Sequence, residues 1–185
     1  PGPYKSELSI QDEGPGPLYR KDLETGEVLR VDTLSNGSKV QSGWGIRDGA
    51  MSSDGRYVAF ESSDIQFAGL PKADWGSDDW SRTLVYRKDL VTGQLTTASS
   101  QADGTPGQGW AQSGGYGIGI SDDGKRVSFI YRGNDLVEGT NPEESRMPWS
   151  DDYISGRDQS DLYVKDFETG EVFLASSDSA GNQLL

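Results

Sequence analysis

Apolar and polar residues alternate in short runs along this chain, and glycine and aspartate separate the runs. "LYRKDLETGEVLRV" (18–31) is the first clear example. Alternation over four to eight residues predicts a half-buried β-strand. Here it predicts two, at 18–23 and 27–33, joined by a turn at Leu23-Glu24-Thr25-Gly26. The phrase returns as "LVYRKDLVTGQLTTAS" and as "DLYVKDFETGEVFLAS". Aligned on Tyr19, Tyr86 and Tyr163, the copies are 67 and 77 residues apart. Gly26, Gly93 and Gly170 then fall at the end of each turn, where a positive φ is needed and glycine adopts it most cheaply.

A second phrase lies between the copies: "SSDGRYVAFESS" (52–63) and "SDDGKRVSFIYR" (121–132). Asp54-Gly55 and Asp123-Gly124 are strong short-range hairpin signals. They join a short inner strand (49–52, 117–121) to a longer one (56–62, 125–132). No segment shows a 3.6-residue apolar period. The repeating unit is therefore four strands: A, turn, B, long loop, C, turn, D. Four-stranded antiparallel units repeated along a chain are the blades of a β-propeller. The expected fold class is all-β, a propeller segment of about two and a half four-stranded antiparallel blades with long loops on one face.

The divisions expected are a leader at 1–17 with room for one strand, and a C–D hairpin of a first partial blade with its D–A loop at 18–48. A second blade and the following D–A loop occupy 49–116, and a third blade and the start of the next D–A loop occupy 117–185. Closed propellers have roughly four to eight blades. The expectation is an excerpt of a longer propeller, with chain-to-chain assembly as the alternative, and Pro1 in first place suits a processed or excerpted chain.

Ser53-Asp54-Gly55-Arg56-Tyr57-Val58-Ala59-Phe60, Asp161-Leu162-Tyr163-Val164-Lys165-Asp166 and Thr169-Gly170-Glu171 together resemble the TolB-like β-propeller repeat family. The resemblance runs from about Leu18 to the end. It implies a propeller fold and an extracellular or periplasmic location. It is nearly silent on function, because propellers host binding, scaffolding and catalysis alike. The B–C loops are longer here than is usual in that family.

Composition narrows the chemistry. The chain has 185 residues with neither cysteine nor histidine. It cannot by itself build a Ser-His-Asp triad, an imidazole zinc site or a thiolate nucleophile. Thirty acidic against 17 basic residues give a net charge of −13. Such a surface repels phosphate backbones and anionic membranes, so neither nucleic acid binding nor membrane insertion is expected.

All five tryptophans fall in the long D–A and B–C connections: Trp44, Trp75, Trp80, Trp110 and Trp149. Loops on a rigid scaffold commonly carry function, so the long-loop face is the expected working face. Two B–C loops also match each other. "DWGSDDW" (74–80) and "PWSDDY" (148–153) align Asp78 with Asp151, Asp79 with Asp152 and Trp80 with Tyr153. Hard carboxylate oxygens so arranged, joined by Asp158 and Asp161, are candidate ligands for Ca2+. The competing reading is turn capping, or pairing with Arg82, Arg146 and Arg157. Trp75, Trp80, Trp149 and Tyr153 are candidate ligand-binding platforms for a protein or a sugar ring. Trp44 and Trp110 are read as core. The repeated charges of "RKD" and "VKD" are read as solvated or cross-strand paired, and Asp22, Asp89 and Asp166 as closing the C–D turns.

The resulting expectation is a non-enzymatic binding or assembly module, holding a protein partner or further copies of itself, with calcium as candidate cofactor. The alternatives are a carbohydrate-binding propeller using loop tryptophans, and the propeller part of a hydrolase.

Overall fold

A computed structural model of the chain describes residues 6–10, 16–40, 46, 48–70, 83–111, 117–138 and 160–181. Three small antiparallel sheets follow one another along the chain. The first holds β1 (Ser6–Ile10), β2 (Leu18–Asp22) and β3 (Val28–Arg30), in that order. The second holds β4 (Gly49–Met51), β5 (Tyr57–Ser62), β6 (Leu84–Asp89) and β7 (Leu95–Thr97), also in order. The third is built from β8 (Trp110–Ala111), β9 (Gly119–Ile120), β10 (Arg126–Arg132), β11 (Asp161–Asp166) and β12 (Val172–Leu174). Both β8 and β9 pair with β10, β9 beside Val127 and Ser128 and β8 beside Tyr131 and Arg132. The innermost position of the third sheet is thus filled in two pieces.

Register shows that the three sheets are one unit repeated. Lys21 pairs with Val28, Lys88 with Leu95 and Lys165 with Val172. One strand further in, Ser6 pairs with Asp22, Tyr57 with Asp89 and Arg126 with Asp166. β1 therefore occupies position B of the first sheet.

The turns are set by local side-chain chemistry. At the end of each C strand an aspartate Oδ1 accepts two backbone N–H groups: Glu24 and Thr25 on Asp22, Val91 and Thr92 on Asp89, Glu168 and Thr169 on Asp166. Gly26, Gly93 and Gly170 follow at φ of 76°, 77° and 81°. The aspartate supplies acceptors the turn backbone lacks, and glycine supplies the left-handed residue at no steric cost. The A–B turns work similarly, with Ser52 Oγ on Asp54 and Ser121 Oγ on Asp123.

The core lies between the sheets. One cluster joins Leu18, Val31 and Ile46 to Val58, Phe60, Phe67, Leu84 and Tyr86. The other joins Ala59, Val85, Ala98 and Ala111 to Val127, Phe129, Tyr131 and Tyr163. Alternation along β6 explains this division. Tyr86 packs toward the first sheet and Val85 toward the third, because successive side chains of a strand point to opposite faces. A sheet buried on both faces needs a neighbour on each, and stacking like units provides them. A 3-10 helix, Ile65–Ala68, opens the β5–β6 connection and adds Phe67, 5.4 Å from the rings of both Phe60 and Tyr86. The innermost strands of adjacent sheets, β4 and β9, lie against each other. Sheets of one repeated register packed face to face in series, with the innermost strands of the second and third against each other, form a radial β-propeller arrangement.

Candidate functional site

Most of the proposed metal and ligand residues lie outside the described residues. These are Trp75, Asp78, Asp79 and Trp80 of the first long B–C loop, and Trp149, Asp151, Asp152, Tyr153 and Asp158 of the second. Asp161 is described. It opens β11, is buried, and accepts the Ser176 hydroxyl at 2.7 Å. Among the described residues no group of three or more carboxylates is placed to hold a metal ion. Trp110 is half-buried in β8.

What the described residues do bring together is a repeated contact between neighbouring blades, and its principal residue is a lysine. Lys88, in β6 of the second blade, is only 4% exposed. Its Nζ donates to the carbonyls of Thr33 and Leu34, both at 2.9 Å, at the start of the first blade's D–A loop. Lys165, in β11 of the third blade, is equally buried and donates to the carbonyl of Gln101 at 2.7 Å. Gln101 is the counterpart of Leu34 one blade on. Each lysine reaches back into the loop of the blade before it. Burial pulls both ammonium groups below the ordinary lysine range.

For the lysines this overturns the reading of "RKD" and "VKD" as solvated or cross-strand paired; the aspartates of the same runs are cross-strand paired, Asp89 with Arg56 and Asp166 with Arg126. The signal was present. Each lysine stands two residues after a tyrosine, in Tyr19-x-Lys21, Tyr86-x-Lys88 and Tyr163-x-Lys165. A two-residue step keeps the same face of the strand. A lysine sharing a face with a buried tyrosine must bury its stem and find acceptors for its head.

Further repeated bonds fix the strands and loops that form this contact. The N–H just inside each C strand is capped from the end of its own D strand, by Asp32 Oδ1 for Leu18, Ser99 Oγ for Val85 and Ser176 Oγ for Leu162. The Ile46 N–H bonds the Gly16 carbonyl and the Ala111 N–H bonds the Thr83 carbonyl, so each D–A connection returns to the blade it left. The Leu95 N–H donates to Ser35 Oγ at 3.1 Å. The first parts of the first two D–A loops are thus contact surfaces between blades, not part of a free working face.

Arg87 reaches in the other direction. Its guanidinium donates to the Gly124 carbonyl at 2.8 Å and lies between the rings of Tyr57 and Phe167, at 4.8 and 3.7 Å. Gly124 packs so closely on Tyr57 that a Cβ there would fall 2.1 Å from the ring. The turn aspartates are also paired with arginine. Arg56 holds both oxygens of Asp89, at 3.1 and 2.8 Å, and Arg126 Nε bonds Asp166 at 2.8 Å.

These bonds hold the carboxyls of Asp89 and Asp166 below the usual aspartate range. Arginine is the leading cause in both, followed by turn N–H groups. For Asp22 the leading cause is the N–H groups of Thr25 and Glu24. The folded state therefore takes up these protons later than the unfolded chain as pH falls. Their stabilisation is complete above the unfolded aspartate value of about 3.9 and is lost as pH drops through the lower folded values. Urea midpoints should stay level from neutral pH to about pH 5 and fall steeply below about pH 4. Asp89→Asn should flatten that fall; an unchanged acid limb would show that the pairing contributes nothing.

No protein-family model and no curated protein matches the chain. Solved structures resemble it in arrangement. A tricorn protease structure matches with a TM-score of 0.47 and 12% identity, over 94% of this chain and 12% of that one. The β-propeller domain of the Trilobed protease from Pyrococcus furiosus matches at 0.44 and 9%, over 93% and 39%. TolB from Acinetobacter baumannii matches at 0.32 and 16%, over 92% and 40%. The chain spans well under half the length of each. The fold is all-β and propeller-like. Its three sheets are blades in series, the second and third each fastened to the one before by a buried lysine.

Proposed function

We propose that the chain is a non-enzymatic, TolB-like assembly module of an extracytoplasmic protein, and that its blades bind further copies of the same chain. The observation that supports this most directly is the use made of the repeated charged residues. Lys88, Lys165, Arg87, Asp89 and Asp166 are all engaged in holding a turn or in joining one blade to the next. A blade of this kind carries one half of a contact on each of its two faces. The repeat residues shared with the TolB-like family favour the extracytoplasmic setting. Calcium in the paired Ser-Asp-Asp loops and sugar stacking on Trp75, Trp80 and Trp149 rest on residues outside those described, and the hydrolase alternative names no residue of this chain. None is carried by the geometry above.

Sedimentation equilibrium of the native chain tests the proposal. The average mass should rise with concentration above that of the monomer. A constant monomer mass up to high concentration would overturn it.

A further inference from the structure

The first two D–A loops carry one turn in two chemical versions, Leu34-Ser35-Asn36-Gly37-Ser38 and Gln101-Ala102-Asp103-Gly104-Thr105. In both, the glycine N–H returns to the first carbonyl, Gly37 to Leu34 at 2.9 Å and Gly104 to Gln101 at 3.0 Å. The first N–H bonds the last carbonyl, Leu34 to Ser38 at 2.9 Å and Gln101 to Thr105 at 2.8 Å. The middle side chain accepts the last N–H, Asn36 Oδ1 from Ser38 at 2.9 Å and Asp103 Oδ1 from Thr105 at 2.8 Å. Both glycines have positive φ, 81° and 89°. The buried lysine of the following blade holds the first carbonyl, Lys88 on Leu34 and Lys165 on Gln101. The middle residue is a neutral amide in one loop and a carboxylate in the other.

We infer that Asn36 is a site of spontaneous deamidation, and that its conversion to aspartate gives the first clasp the charged form that the second has by sequence. Asparagine is among the thermally labile residues. Asn36 alone is followed by glycine, which has no side chain to hinder its own nitrogen; Asn134, Asn141 and Asn182 precede Asp135, Pro142 and Gln183. Asn36, Gly37 and Ser38 are exposed, and so are their counterparts in the loop between the second and third blades. In the reaction the Gly37 backbone nitrogen attacks Asn36 Cγ. A C–N bond forms there, the bond from Cγ to the side-chain nitrogen breaks, and ammonia leaves with the Gly37 amide proton. Water then opens the cyclic imide at either carbonyl, giving aspartate or isoaspartate. The Gly37 N–H is engaged with Leu34, so the turn must open first, and Lys88 on the same carbonyl holds it closed. The aspartate product matches Asp103, which keeps every bond of the turn. Burial lowers the proton affinity of both lysines, and at Lys165 the charge of Asp103 works against it. Isoaspartate adds a backbone methylene between Leu34 and Ser38, whose paired bonds fix the length of the turn.

Peptide mapping by mass spectrometry tests this, on the native chain kept warm at mildly alkaline pH. Asn36 should lose its amide ahead of Asn134, Asn141 and Asn182. Lys88→Met should speed the loss on the order of tenfold, because local opening gates the reaction. Lys165→Met, which loosens the other junction, should leave the rate at Asn36 unchanged. Asn36→Asp supplies the product directly. It should shift the urea midpoint upward relative to its shift in the Lys88→Met background, where the ammonium is gone. Asn36 intact while the other asparagines react would overturn the inference, as would equal rates in the native chain and Lys88→Met. Equal midpoint shifts in the two backgrounds would overturn the charged clasp.

Discussion

Replacing Lys88 with methionine is expected to destabilise the chain by about 1–3 kcal/mol, from the usual cost of taking the donor from a carbonyl shielded from water; the Leu34 carbonyl keeps the Gly37 N–H. Methionine keeps most of the apolar stem and removes only the donating head. The carbonyls of Thr33 and Leu34, each bonded at 2.9 Å, then lose this partner in a place the side chain had closed to water. Part of the loss is recovered because the ammonium no longer has to be buried, a cost visible in its lowered proton affinity. Urea unfolding at neutral pH, followed by tryptophan fluorescence, measures the difference. Lys21→Met is the internal control. The same residue type at the same register but exposed should change stability by less than about 0.5 kcal/mol. If the two variants unfold alike, the buried clasp contributes nothing.

Phe60→Ala is expected to cost about 3–5 kcal/mol, the range for deleting a buried aromatic ring. Phe60 is fully buried, with its ring 5.4 Å from Phe67 and 5.6 Å from Tyr86. It shares one buried cluster with Leu18, Val31 and Ile46, so the cavity would open into the core between the first two blades. That location predicts more than a lower midpoint. Amide exchange should accelerate most in β2 and β3, whose apolar cover comes from the second blade, and least in β11 and β12. Uniform acceleration along the chain would show that the blades unfold as a single unit.

The blade unit was legible because its signals are local. Asp-Gly and Thr-Gly punctuation, period-two alternation and the tyrosine spacing each act over a few residues and agree with one another. The turn-closing role of Asp22, Asp89 and Asp166 was legible for the same reason, since an aspartate at the end of a strand can reach only the N–H groups two and three residues on. The split of the innermost strand into β8 and β9 was not. Trp110 and Ala111 carry little strand pattern, and they pair with Tyr131 and Arg132 only because β10 extends far enough to meet them. The candidate loop site, on residues 74–80 and 148–158, lies outside the described residues. Only Asp161 has a described environment, bonded to Ser176.

The amino-acid sequence by itself determined the kind of element, its repeat and the chemistry of its turns, because these depend on contacts within about ten residues. It also determined which faces are apolar, since alternation assigns every strand residue to one side or the other. Tertiary structure alone decided what each face meets. Lys88 and Lys21 stand in nearly the same local sequence, "YRKDL", yet one is buried on carbonyls more than fifty positions away and the other is exposed. What buries Lys88 is the first blade, which supplies both acceptors. Burial, the direction of a proton shift and the role of a charge all follow from that neighbour, and no window of local sequence contains it.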